Sequence, residues 1–176
     1  DKKRATLVYT LDPKTATGNY TIDDIRLMDE AGNDRLYDNQ EMVSLGFTSS
    51  FSISNSIADN VVPEITDLIF TAIETGPNKE IKVEVKTGPQ DTAISHIYLR
   101  MRNPNSISID RYIHQPNDGL DVTKTDFELQ FALPSEYPSG EYRVDYIFIR
   151  DKALNEKNSS GDDLEAAGLS NSVTFN

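Results

Sequence analysis

The chain has 176 residues, with 17 Lys plus Arg against 29 Asp plus Glu, a formal charge of -12, and neither Cys nor Trp. That length allows one or two domains, the charge repels nucleic-acid backbones and anionic membrane surfaces, and the lack of Cys removes disulfides, thiolate catalysis and Cys-type zinc sites. The longest apolar stretches, such as Leu68-Ile69-Phe70 and Tyr146-Ile147-Phe148-Ile149, fall far below the ~20 residues of a membrane-spanning helix, so no membrane insertion is expected.

The chain opens Asp1-Lys2-Lys3-Arg4, without Met and without an apolar segment behind the basic residues. It therefore reads as a piece of a longer polypeptide or a processed product, with no signal peptide in this numbering. The next residues carry an internal repeat. Ala5 to Ser54 align without a gap on Phe127 to Asn176, a shift of 122 positions. Identities include Leu11 with Leu133, Gly18 with Gly140, Tyr20 with Tyr142, Asp23 with Asp145, Ile25 with Ile147, Asp29 with Asp151, Asn33 with Asn155 and Gly46 with Gly168. Register held through a long loop predicts two copies of one module, the first represented only by its C-terminal half.

Polar residues Ser54 to Asn60, followed by Pro63, mark the junction, giving a half-module over 1–56 and a complete module over 57–176. From Pro63 onward period-two alternation dominates and no window shows helical spacing over three turns, which predicts an all-β module. Ile81, Val83 and Val85 alternate with charged residues, as do Ile97, Leu99 and Met101, so each strand has one dry and one wet face. Asn103-Pro104-Asn105 reads as a turn, Ser106 to His114 as a strand, Gln115 to Gly119 as a second turn, and Phe127, Leu129, Phe131 and Leu133 as the strongest strand. Inward parity then changes midway in both copies, from Tyr20 and Ile22 to Ile25 and Leu27, and from Tyr142 and Val144 to Ile147 and Ile149. An extra residue near Asp23 or Asp145 predicts a β-bulge. A short strand closes each copy, over Phe51 and Ile53 or Val173 and Phe175.

Strands at this spacing suggest a two-sheet sandwich of about seven strands. Ser139-Gly140-Glu141-Tyr142-Arg143-Val144 and Thr17-Gly18-Asn19-Tyr20-Thr21-Ile22 resemble the start of an immunoglobulin-type strand F with its tyrosine corner. Asp29-Glu30-Ala31-Gly32-Asn33 and Asp151-Lys152-Ala153-Leu154-Asn155 resemble the Asp-x-Ala-Gly-Asn turn of tandem bacterial immunoglobulin-like, or cadherin-like, modules of secreted and cell-surface proteins, and Asp59 to Ile65 resembles their Asp-rich, Pro-containing openings. The likeness covers all of copy two and the half of copy one. Leu154 departs from the usual Gly of that turn. The resemblance implies an immunoglobulin-like antiparallel sandwich, an extracellular or cell-surface location, neighbouring modules of the same chain as partners, and a linker ion in some relatives.

Catalytic material is thin. His96 falls on the wet side of its strand and His114 ends another, and neither belongs to a zinc-binding His-Glu-x-x-His motif. Nucleophile elbows, phosphate loops and dinucleotide fingerprints do not occur, so a non-catalytic protein is expected. Calcium is the one cofactor that acidic loops suggest, since it takes six to eight oxygens from carboxylates, amides and carbonyls. Asp29, Asn33, Asp59, Asn60, Asp151 and Asn155 are its candidate ligands, with Asp59 and Asn60 expected beside the Asp29 to Asn33 turn. The loop Gly161 to Glu165 is a second candidate place. Against metal, Asp29 and Asp151 read more readily as turn caps, with Asn33 and Asn155 left-handed. Tyr98, Tyr112 and Tyr146 could stack on sugar if they share an exposed face, although cross-strand packing is the favoured reading for such positions. The expected role is that of a spacer or adhesive module in a large surface or secreted protein, with a surface glycan or protein as a further partner. The alternative is a carbohydrate-binding accessory domain of a secreted hydrolase.

Overall fold

A computed structural model describes residues 6, 8–89, 92–114 and 124–176. The turn expected over Gln115 to Gly119 lies outside the described residues. Among the described residues four short strands come first: β1 (Gly18–Thr21), β2 (Asp24–Met28), β3 (Asp34–Asp38) and, after the short helix α1 (Asn39–Ser44), β4 (Ser50–Ile53). β1 pairs antiparallel with β4, and β2 with β3.

Eight strands follow among the described residues: β5 (Ile65–Thr75), β6 (Asn78–Thr87), β7 (Ile94–Arg102), β8 (Ser108–His114), β9 (Asp126–Leu133), β10 (Gly140–Asp151), β11 (Glu156–Ser160) and, after helix α2 (Gly161–Ala166), β12 (Ser172–Phe175). One antiparallel sheet has the order β5-β6-β9, the other β11-β10-β7-β8 with β12 on the first part of β10. Alternation explains what lies between them. Ile81, Val83 and Val85 of β6, Phe127 to Leu133 of β9, Ile97, Leu99 and Met101 of β7, and Tyr142, Val144, Ile147 and Ile149 of β10 form one buried cluster, with the polar residue between each pair turned outward. Each such side chain contributes about 1.5–3 kcal/mol by leaving water. The all-β, sandwich-like character read from period two is what this shared core between two sheets amounts to.

The parity change is a bulge. Pairing of β10 with β7 runs Val144 to Met101 and then Tyr146 to Arg100, passing over Asp145. The extra residue rotates the strand so that Ile147 and Ile149 return to the core after Tyr142 and Val144. At the corresponding place in the first segment the strand stops, and Ile22 and Asp23 separate β1 from β2.

Every element of the first segment begins and ends 122 residues before a counterpart: β1 before 140–143, β2 before 146–150, β3 before β11, α1 before α2 and β4 before β12. Pairing registers correspond too, Gly18 with Ile53 as Gly140 with Phe175, and Asp24 with Asp38 as Tyr146 with Ser160.

The helices were not expected from periodicity, because they are too short to show it. α2 also places the proposed loop of Gly161 to Glu165 in a helix. Its capping box is visible in sequence as Ser160-x-x-Asp163: the Ser160 hydroxyl oxygen accepts from the Asp163 N–H at 3.1 Å, and the Asp163 carboxylate accepts from the Ser160 N–H at 2.8 Å. Those bonds hold the Asp163 carboxyl below its ordinary 3.8. The stability they add is present above that value and lost as pH falls through the lower folded pKa. Ser160→Ala is expected to flatten acid unfolding in this window, measured as melting temperature against pH beside the parent chain.

Candidate functional site

Two places bring together residues singled out by the sequence: the junction between the segments, and the outer face of the β10-containing sheet.

At the junction the linker folds back along residues 13–17. Asn55 Nδ2 donates to the Pro13 and Thr15 carbonyls at 2.8 and 3.0 Å, and the Asp59 N–H donates to the Lys14 carbonyl at 2.9 Å. Asp59 is buried, at 4% exposure. Its Oδ1 accepts from the Val61 N–H at 2.9 Å and its Oδ2 from the Thr92 hydroxyl at 2.8 Å. The β10–β11 turn closes over it. Asn155 Nδ2 donates to the Asp59 carbonyl at 3.0 Å and to Asp151 Oδ2 at 2.9 Å, and the Ala16 N–H donates to the Ala153 carbonyl at 2.8 Å. Asp151 is fully buried, and Oδ1 accepts from the Asn155 N–H at 2.9 Å. Burial pushes the Asp151 carboxyl up, the charge of Asp59 adds to this, and the Asn155 and Thr92 bonds oppose it.

The turn beside Asp59 is therefore Asp151 to Asn155, whereas the sequence reading put the Asp29 to Asn33 turn there. The physical reason is strand direction. β10 spans 12 residues from its Gly140 end to that turn, about 40 Å at ~3.3 Å per residue, and β1 and β2 likewise separate residues 13–17 at the junction from the Asp29 to Asn33 tip. Asp29 and Asn33 sit at the tip of the β2–β3 hairpin and engage each other: Asp29 Oδ1 accepts from the Ala31 and Asn33 N–H groups at 3.0 and 2.9 Å, and Oδ2 from Asn33 Nδ2 at 2.9 Å. These bonds hold the Asp29 carboxyl below its ordinary value. Both turns thus have the carboxylate caps, but the left-handed residues are Gly32 and Leu154 and not Asn33 and Asn155 as expected, because the tight turn falls one residue earlier. Asn60 is exposed beside Asp59.

Tested against calcium, the junction supplies two carboxylates, Asp59 and Asp151, whose four oxygens already accept from Val61, Thr92 and Asn155. Among the described residues no three His, Cys, Asp or Glu side chains converge as a ligand group. Four carboxylate oxygens are fewer than the six to eight that calcium takes, so carbonyl, amide or water oxygens would have to complete a cage here.

Leu154 shows how strongly the turn is specified. It takes φ 72°, where its counterpart Gly32 takes φ 84°, although a side chain in the left-handed region costs about 1–2 kcal/mol. Leu154→Gly is expected to gain roughly 0.5–1 kcal/mol net of the added freedom of the unfolded chain. A calorimetric melt checks it as a rise of a few degrees.

The second place is a cross-strand aromatic row. Phe148 of β10, Tyr98 of β7 and Tyr112 of β8 are register partners on the outer sheet face. Tyr98 lies 5.4 Å from the Tyr146 ring and 6.4 Å from Tyr112, all tilted, and His96 lies 5.7 Å from Tyr112. Tyr112 is 53% exposed. Arg100 Nε and Nη2 donate to the Tyr98 hydroxyl oxygen at 3.1 and 2.9 Å, and the guanidinium lies 5.1 Å over the Tyr146 ring. Burial first, then the bond with Tyr98, pushes the Tyr146 phenol up. The sequence named Tyr98, Tyr112 and Tyr146 and put His96 on the wet side of its strand, but did not join His96, Arg100 or Phe148 to the tyrosines. Shared parity on adjacent strands was the available signal, and it becomes readable only once β7 is known to lie between β8 and β10.

No family model, no curated protein and no solved structure matches this chain.

Proposed function

We propose that the chain is a non-catalytic, immunoglobulin-like repeat of a surface or secreted protein, acting as a spacer or adhesive unit. One observation carries this reading: the first five elements and their pairing recur 122 residues later. Two tyrosine hydroxyls support the immunoglobulin-like part. Tyr20 donates to the Ala16 carbonyl at 2.8 Å and Tyr142 to the Pro138 carbonyl at 2.9 Å, the arrangement of a tyrosine corner.

The mechanism is mechanical. A linker bonded to residues 13–17 on one side and capped by Asn155 on the other has few torsions left to bend about, so neighbouring modules transmit direction along the chain. Protein donors supply this stiffness, and the reading does not depend on an ion. Asp59→Ala removes the bonds to Thr92 and Val61, and is expected to broaden the distance distribution between spin labels at Ser52 and Lys157 without unfolding β5 to β12. An unchanged distribution would remove the linker from the mechanism. Melting the parent and Asp59→Ala chains with and without calcium tests the ion separately: a rise confined to the parent would bring calcium to the junction.

The aromatic row favours a second reading, a carbohydrate-binding accessory domain. Tyr112 and Tyr98 offer stacking faces, with the Arg100 guanidinium beside Tyr98. A glycan array discriminates, since binding lost in Tyr112→Ala would support this reading over the spacer.

A further inference from the structure

The outer part of copy one presents apolar surface that its counterpart buries. Ile25 and Leu27 are 40% and 54% exposed, while Ile147 and Ile149, 122 residues later, are at 0%. Phe47 and Phe51 are exposed, while Leu169 and Val173 pack against the core. The difference has one structural source. Residues 146–150 pair with β11 on one side and β7 on the other, and β5, β6 and β9 cover their inner face. Among the described residues β2 pairs with β3 alone, and no strand lies on its other edge.

We propose that this face is the acceptor for a sheet segment of the β5–β8 type, carried in cis on the polypeptide that runs into residue 5, with a β7-like strand pairing antiparallel to β2. The inference rests on the repeat reading above. Three observations choose this occupant. The apolar positions on the face are those that β7 and the opposite sheet cover in copy two. Charge is complementary: Asp145 accepts from Arg102 Nε and Nη2, both at 3.0 Å, and Asp23 stands at the equivalent position, which asks for an Arg on the incoming strand. The junction interface also continues, because the Asp29 to Asn33 tip repeats the capped turn whose Asn155 bonds the linker at Asp59 and whose Ala153 bonds Ala16 just before β1. The same tip on copy one faces the side from which a preceding linker would come.

The test joins a second copy of residues 57–122 directly ahead of Asp1, which preserves the spacing of 122, and compares hydrogen exchange of the Asp24–Met28 amides with that in the 176-residue chain. Exchange slowed by about 100-fold or more is expected as the open edge becomes a central strand, with loss of hydrophobic-dye fluorescence. Introducing Asp23→Arg should reverse much of the protection, and Arg102→Asp in the added copy should restore it. Should the added copy fail to fold, a synthetic peptide of the Ile94–Arg102 sequence added to the 176-residue chain reads the same amides. Unchanged exchange in both arms overturns the proposal. So does a concentration-dependent dimer of the 176-residue chain that protects these amides, since it would give the face to a second copy. Slowed exchange supports the proposal whatever the outcome at Asp59, so the two readings fail separately.

Discussion

Replacing Ile147 with Ala should destabilise the protein by about 2–5 kcal/mol, while the same change at Ile25 should cost about 0.5 kcal/mol or less. The two residues are 122 positions apart, sit at the same point of equivalent hairpins, and pair with Ser159 and Tyr37 respectively. Their environments decide the difference. Ile147 is at 0% exposure inside the cluster made with Val83, Val85, Leu99 and Phe131, so its loss leaves a cavity ringed by side chains already held in place. Ile25 is 40% exposed and has no opposing sheet among the described residues. Urea unfolding of both variants checks this, with the midpoint shift converted at constant slope. Equal losses would mean that Ile25 is covered in solution.

Gly161→Ala should cost about 1–3 kcal/mol, despite adding one methyl group to the first residue of a helix. A Cβ at this position would run into the Val144 carbonyl oxygen, which is backbone and cannot rotate away. The bulge creates the constraint. Passing over Asp145 turns the strand so that the Val144 carbonyl faces the start of α2, where Asn171 Nδ2 also donates to the Gly161 carbonyl at 3.1 Å. The first segment solves the corresponding corner differently. Its strand breaks at Ile22 and Asp23, and Asn39, at the position of Gly161, donates from Nδ2 to the Ile22 carbonyl at 2.9 Å. Asn39→Gly should accordingly lose a hydrogen bond and relieve no clash. Melting temperatures of the two variants against the parent give the comparison.

The strands and the bulge were legible because burial on one face imposes period two, and a change of parity has few other causes. Val83 between Lys82 and Glu84, or Leu129 between Glu128 and Gln130, leaves little choice of orientation. The change from Val144 to Ile147 fixed the bulge to within a residue. The turn caps were legible for a different reason: Asp and Asn at this spacing bond their own backbone whatever surrounds them. What was not legible depends on which strands become neighbours. That Asp151, and not Asp29, meets Asp59 follows from the course of β10, and that Arg100 lies over Tyr146 follows from β7 standing next to β10. The short helices were hidden by length, although the spacing of Ser160 and Asp163 carried their start signal.

Cross-strand nuclear Overhauser contacts in the 176-residue chain test the serial-module account most directly. It predicts two sets displaced by 122 residues: Asn19 with Ser52 and Ile25 with Tyr37 in the first segment, Glu141 with Thr174 and Ile147 with Ser159 in the second. A first segment that lacks these contacts, or pairs its strands in another order, would contradict it.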